Sequence, residues 1–272
     1  MSSRTHTAYR LTESSVMLAF AAVLSVLKIV DMPYGGSITA CSMLPLLVIA
    51  YRYGFKWGLL TSFTYGLVQA LLGMENFSYA PGFTSMVTLL LFDYLIAFLV
   101  LGLGALFRKS GRSQTVALAL AAIVTGLLRY LCHTVSGFTV WRDLSVPFTE
   151  SLIYSFSYNA TYMIPETVIL TLGAVYVSRV LSFEGATVTR AEKSTHASPA
   201  ATVLSVLAKT TLLVSAVWAI VLIAPAMQSA DSGSLFLAGL ATVNWAFVGI
   251  VLGIGILLFA VLSLIAKRFK TT

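Results

Sequence analysis

The sequence predicts an all-α polytopic membrane protein: a six-helix bundle followed by two additional C-terminal transmembrane helices. Three observations predict it. First, 58% of the 272 residues are hydrophobic and 10% charged, with a mean hydropathy of +0.91, far more apolar than a soluble domain. Second, apolar runs of about 20 residues, the length that crosses a bilayer, recur between polar breaks. Third, Lys and Arg gather in alternate breaks.

The first helix is expected at 13–31, after the polar head MSSRTHTAYRLTE, which carries no small-residue cleavage site and so leaves this helix in the mature protein. A short second helix, 38–51, follows PYGGS and is expected to tilt or to begin irregularly. Further helices are expected at 57–73, 86–107, 115–138 and 151–180, and a C-terminal pair at 201–226 and 235–266, the last long enough to include an interfacial turn. Segment 183–200, FEGATVTRAEKSTHASPA, is polar and reads as a cytoplasmic linker. The domains are therefore 1–182, a six-helix substrate-binding membrane unit; 183–200, the linker; and 201–272, a two-helix membrane segment.

Thirteen of the seventeen basic residues, from Arg4 and Arg10 through Arg52, Lys56 and Arg108 to Lys270, fall in one set of alternate loops; the opposite set holds only Arg142. Both termini are thus expected in the cytoplasm. A positive cytoplasmic face accounts for the formal charge of +7, so the expected partner is a lipid bilayer and not nucleic acid. Cys41 and Cys132 lie in apolar stretches and outline neither a disulfide framework nor a metal site. In the C-terminal pair, Lys209 is near enough to the cytoplasmic end to snorkel, and Asn244 is read as the strongly polar side chain deep in the last helix.

One carboxylate interrupts TLLLFDYLIAFLVLGLGALF, residues 88–107: Asp93. A charge at the centre of a membrane helix costs roughly 2.5–3.5 kcal/mol on insertion scales, so a partner is required. On the expected topology Asp93 lies about 10 Å below the outer surface. Arg129 and His133 stand at i and i+4 on helix five, while Tyr154, Tyr158 and Asn159 come from helix six at a similar level. Arg129 is the expected partner. The plain alternative is a structural ion pair among interhelical hydrogen bonds. An Asp, an Arg, a His, an Asn, several Tyr and a Trp exceed what neutralisation needs, however, and suit a small, cationic, aromatic ligand.

At these residues the chain resembles a known family. LTE at the head of helix one, PYGGSIT followed by SMLPL, DY in helix four, RYLCH followed by SG and Trp141, and YSFSYN in helix six together resemble the thiamine-specific S components (ThiT) of energy-coupling factor (ECF) transporters, over residues 10–182. The resemblance implies an S-component-like fold, and a subunit that captures thiamine from outside and works with a transmembrane coupling subunit and two ATPase subunits. It implies that Asp93 meets the aminopyrimidine, with Tyr94 beside it; that Arg129, matching a position usually Lys, is coupled to that carboxylate; that His133 and Trp141 flank the thiazolium; and that Tyr154 and Asn159 hydrogen-bond the ligand. Tyr79 loosely matches a loop aromatic. One departure is Gly36, where some members carry Trp just after YG. The linker and final helix pair lie outside the family's six-helix pattern.

Ser15 and Ala19 form a small-xxx-small pair on helix one, with Ala22 a turn further, and such faces let helices approach closely. The resemblance makes them a docking surface for the coupling subunit; small residues are also common in membrane helices. Pro165 is expected to kink helix six, and Glu166 is left out of the site. Cys132 and His133 are adjacent and so face apart, which argues against a catalytic dyad. His6 and His196 read as solvated. GxxxxGK[ST], HExxH and GxSxG are absent, so the chain is expected to be no enzyme and to hold no cofactor. The rival readings are a proton-coupled secondary transporter of a small organic cation, titrating Asp93 and His133; an S component for a thiamine precursor; and, least favoured, an intramembrane enzyme acting on lipid.

Overall fold

The computed structural model describes residues 3–191, 199–228 and 241–269. Two compact units, Met1–Ala191 and Glu192–Thr272, are described separately. Among the described residues five helices are long and apolar enough to cross a membrane, and the protein is a multi-pass, all-α membrane protein.

In the first unit, α1 covers Ser3–Val26. It starts earlier than expected because its polar head has partners. Arg10 lies over the Trp57 ring at 4.0 Å, and Glu13 Oε1 meets Arg52 Nε at 2.8 Å. It also ends earlier. Lys28–Asp31 (β1) pairs antiparallel with Ser37–Thr39 (β2), Val30 opposite Ile38. The intervening turn places Tyr34 at φ +62° and Gly35 at φ +90°, and left-handed backbone at a tyrosine is uncommon enough to mark a constrained position. Gly36 is needed for close approach: a Cβ there would lie 2.8 Å from Tyr162 Cδ1 and 2.9 Å from Tyr158 Oη. The hairpin thus presses against helix six, which is the irregular entry expected of PYGGS.

Helix α2, Leu44–Tyr53, has ten residues, about 15 Å of helix, too short to cross a bilayer alone; it is buried from Pro45 to Arg52. Helix α3 follows at Phe55–Leu72. Helix α4, Phe83–Lys109, is not uniform. A π-helical turn occupies Leu89–Leu95 and a tighter 3₁₀ stretch Val100–Lys109. Its first turn is capped from the next helix, where Asp143 Oδ2 accepts from the Ser85 amide at 3.1 Å. Helices α5, Gln114–Asp143, and α6, Phe148–Val180, are the longest in the unit and pack along each other; α6 contains Pro165. Leu46, Leu47, Leu101, Leu118 and Leu170 fill the core between α2, α4, α5 and α6.

At the end of the bundle away from the β1–β2 hairpin, a polar clasp joins several elements. Arg52 donates to Glu13 Oε2 at 3.2 Å, to the Ala186 carbonyl at 3.2 Å and to the Phe183 carbonyl at 3.4 Å. The Tyr53 hydroxyl also donates to Glu13. Gln114 Nε2 donates to the Leu181 carbonyl at 2.8 Å, beside a short pairing of Leu181–Ser182 (β3) with Thr189–Arg190 (β4).

Among the described residues, the second unit holds two long helices, α7, Pro199–Gln228, and α8, Trp245–Arg268. They meet where Gly255 leaves no room for a Cβ beside Ser215, with Ala219, Val243 and Val248 as a small core. Asn244 is not deep in the last helix, as expected, but caps it, Oδ1 accepting from the Phe247 amide at 3.1 Å. Residues 229–240, which hold the expected start of that helix, and His196 of the expected linker lie outside the described residues.

Candidate functional site

A cavity of about 560 Å³ opens into the first unit at the hairpin end, within the roughly 300–1,000 Å³ typical of small-molecule sites. Helix α4 brings Asp93 to its wall from the π-helical turn, a local widening that often accompanies functional sites. Asp93 Oδ1 meets His133 Nδ1 at 2.8 Å, and the Asp93 side chain keeps 29% of its surface open. Its Oδ2 has no hydrogen bond to a described residue.

Below, the floor is buried and tightly bonded. Arg129 Nη2 lies 3.4 Å from His133 Nε2, and Arg129 Nη1 lies 3.5 Å from Glu166 Oε2. The guanidinium also touches Met43 Sδ and lies over the Phe98 ring at 4.7 Å. Glu166 Oε1 accepts from Thr39 Oγ1 at 2.7 Å, and Thr39 shares a 2.7 Å bond with Ser42. Asn159 Nδ2 donates to the Ser155 carbonyl at 2.8 Å and the His133 carbonyl at 3.2 Å, while its Oδ1 accepts from the Tyr162 hydroxyl. These bonds lock the rotamers of α5 and α6 beneath the cavity. Ser136 Oγ, also in the lining, is buried without a hydrogen-bond partner among the described residues, a polar group left for something in the cavity.

Above, the walls and rim are aromatic. Tyr34 packs edge-on against Tyr79 and Trp141, both at 5.6 Å between ring centroids, and against Tyr158 at 6.3 Å. Trp141 is backed by Tyr154 at 4.5 Å, and Tyr154 lies parallel to Tyr158 at 6.0 Å. On the α3–α4 side, Tyr94 donates to the Gly73 carbonyl at 2.9 Å, accepts from Asn76 Nδ2 at 2.9 Å and stacks on Phe77.

The charges in the lining do not cancel. Lys28 is paired with Asp31 at 3.0 Å and Arg129 with Glu166, which leaves Asp93, bonded to an imidazole, and Glu75 at the rim, without an ion pair to a described residue. Acidic groups beside aromatic rings attract cations. Chemically, the cavity can hold a flat cation, cap it with aromatic faces and offer a carboxylate oxygen to its donor edge.

The thiamine transporter protein (Thia_YuaJ) family matches residues 11–182, which holds the whole lining. The chain belongs to this family. A relative, the thiamine transporter ThiT of Bacillus subtilis (strain 168), is 35% identical over 174 residues, 60% of this chain and 86% of the relative. A solved structure of ThiT from Listeria monocytogenes aligns with a TM-score of 0.51 at 22% identity, covering 63% of this chain and 94% of that one; this likeness concerns the fold. The α7–α8 pair lies beyond the family match.

Of the residues expected from the family resemblance, Asp93, Tyr94, Arg129, His133, Trp141 and Asn159 line the cavity together with Tyr79. Tyr154 does not; it supports Trp141 from behind, and Tyr158 takes the lining position one turn on. The expected Asp93–Arg129 pair is replaced by two pairs, Asp93–His133 and Arg129–Glu166, because the wide turn in α4 sets Asp93 against His133 while Arg129, one turn deeper on α5, faces α6. Glu166, left out on sequence grounds, is therefore part of the lining. Tyr34 was also missed, although PYGG announces a turn that would expose it; Gly36, the position of the departure from the resemblance, has no space for a side chain, and Tyr34 supplies an aromatic ring from that loop. Tyr158, Tyr162 and Glu166 share a spacing of four, a helical face readable from the sequence. On α1, Ser15 and Ala19 are exposed beside Leu11, Val16 and Phe20, while Ala22 turns toward the core.

Proposed function

We propose that this chain is the thiamine-binding membrane subunit of an ECF-type vitamin uptake transporter, which captures thiamine from the extracellular side with both termini in the cytoplasm. The observation that carries this reading is the juxtaposition of an Asp93 oxygen open to the cavity with the aromatic group Tyr34, Trp141 and Tyr158 above it. In this reading Asp93 Oδ2 accepts from the aminopyrimidine, and the fixed rings of the upper wall face the thiazolium, a cation–π contact worth about 0.5–2 kcal/mol. Tyr94 and Asn159 shape the walls, and Ser136 Oγ supplies a further hydrogen bond. The exposed Ser15–Ala19 face of α1 docks the coupling subunit, two ATPase subunits supply the energy, and segment 183–200, whose first residues also close the clasp on Arg52, leads to 201–272, a two-helix membrane segment outside the binding unit.

The test is uptake of labelled thiamine by cells expressing the chain with and without coupling and ATPase subunits. The proposal expects uptake only with all subunits present, at a rate that follows ATP and survives a protonophore. A second reading is favoured by one observation, the 2.8 Å Asp93–His133 contact, which is the pair a proton-coupled carrier would titrate. Uptake by the chain alone that collapses with the proton gradient would establish that reading instead.

A further inference from the structure

The buried groups beneath the Asp93–His133 pair form a continuous line across three helices: Glu166 on α6, Arg129 and His133 on α5, Asp93 on α4. The line has a direction. A guanidinium only donates, so the 3.4 Å contact is a hydrogen bond only in the tautomer that leaves His133 Nε2 as the acceptor. Its ring proton then sits on Nδ1 and is donated to Asp93 Oδ1 at 2.8 Å. Arg129 thereby selects one neutral tautomer of His133, and that tautomer orients Asp93 through one oxygen while Oδ2 is left to the cavity.

What holds Arg129 in place to do this is Glu166. Its carboxylate takes Nη1 at 3.5 Å and is itself fixed by the Thr39 hydroxyl at 2.7 Å, which Ser42 supports in turn. Without that anion the long guanidinium would be a buried cation sharing the cavity lining with Asp93, whose free oxygen the ligand needs. Glu166 also cancels the Arg129 charge, so the net charge presented at ligand level is that of Asp93.

We infer that Glu166 is a positioning residue for cation binding: acting through Arg129 and His133, it fixes the Nδ1–H tautomer and keeps Asp93 Oδ2 and its charge available to the ligand. The inference rests on the reading of the cavity as a thiamine site, and it concerns a residue that makes no ligand contact in that reading.

Two readouts separate positioning from general structural support. The first is ¹⁵N spectroscopy of histidine-labelled full-length protein in detergent at pH 8, with His133 assigned through the H133Q variant. Wild type should show a protonated Nδ1 and an unprotonated Nε2; E166Q should show a mixture of tautomers. The second is binding of thiamine against an uncharged isostere with carbon in place of the thiazolium nitrogen. E166Q should lose about tenfold or more for thiamine and less than about threefold for the isostere, since the loss is electrostatic. E166D, which restores the charge, should retain the wild-type tautomer and remain within about threefold for both ligands. An unchanged His133 spectrum in E166Q, or equal losses for the two ligands, overturns the inference. If E166Q does not fold, T39V loosens the same carboxylate, and an unaltered His133 spectrum in that variant overturns it equally. Failure of wild type to bind thiamine would refute the functional reading, while the nitrogen spectra still decide the role of Glu166.

Discussion

The two ends of the six-helix unit both bury charge, and they use it differently. At the clasp, Arg52 is 2% exposed and Glu13 12%, and the guanidinium reaches a carboxylate and two carbonyls on separate elements. Among the described residues this set ties α1, α2 and the turn after α6 together, with Arg52 Nε held against Glu13 Oε1 at 2.8 Å. At the hairpin end, Arg129 and Glu166 are comparably buried, but the line ends at a carboxylate with one oxygen open to a cavity that is also lined by a buried Ser136 hydroxyl without a partner among the described residues. A buried charge therefore does not by itself mark a site. Unused hydrogen-bonding capacity beside a cavity does.

The contrast can be broken from either side. The largest effect is expected at the clasp: R52A leaves Glu13 buried and unpaired, a loss of about 3–5 kcal/mol, read as a lower denaturation midpoint in detergent, with thiamine affinity of the remaining folded protein unchanged. A large affinity loss in that fraction would erase the distinction between the two ends. D93N should do the reverse. It keeps an acceptor for His133 but removes the anion, costing about 1.5–3 kcal/mol of binding, the worth of a charged hydrogen bond, with little change in midpoint; titration calorimetry checks both. W141A removes one aromatic face and should cost about 1–2 kcal/mol of thiamine binding, less for an uncharged isostere. Smallest is Y154F. Tyr154 stands behind Trp141 and does not line the cavity, so the affinity change should stay below about threefold, under 0.7 kcal/mol; a larger loss would place its hydroxyl in the site.

Much of this contrast is legible in the sequence, because ionisable residues inside apolar runs are few and helical spacing shows which of them share a face. Asp93, Arg129, His133 and Asn159 are found that way, and all four line one cavity. Their pairing was not legible. It depends on how far α4 is rotated where Asp93 sits, and the π-helical turn that sets this leaves no signature in FDYL. The β1–β2 hairpin was missed for a related reason: KIVD continues an apolar run from α1, and run length alone does not separate the end of a helix from a short strand. Once the chain leaves α1 at Val26, Tyr34 moves to the rim. Asn244 was misplaced because a polar side chain at a helix end and one at its centre look alike until the cap is seen.

The most direct measurement is calorimetric titration of the purified full-length chain with thiamine, in detergent and without ATP or partner subunits, beside D93N of equal thermal stability. The account predicts saturable one-to-one binding by wild type and at least a tenfold weaker constant for D93N, about 1.4 kcal/mol. No binding by stable wild type, or equal binding by both, would contradict it and return Asp93 to a structural or proton-carrying role.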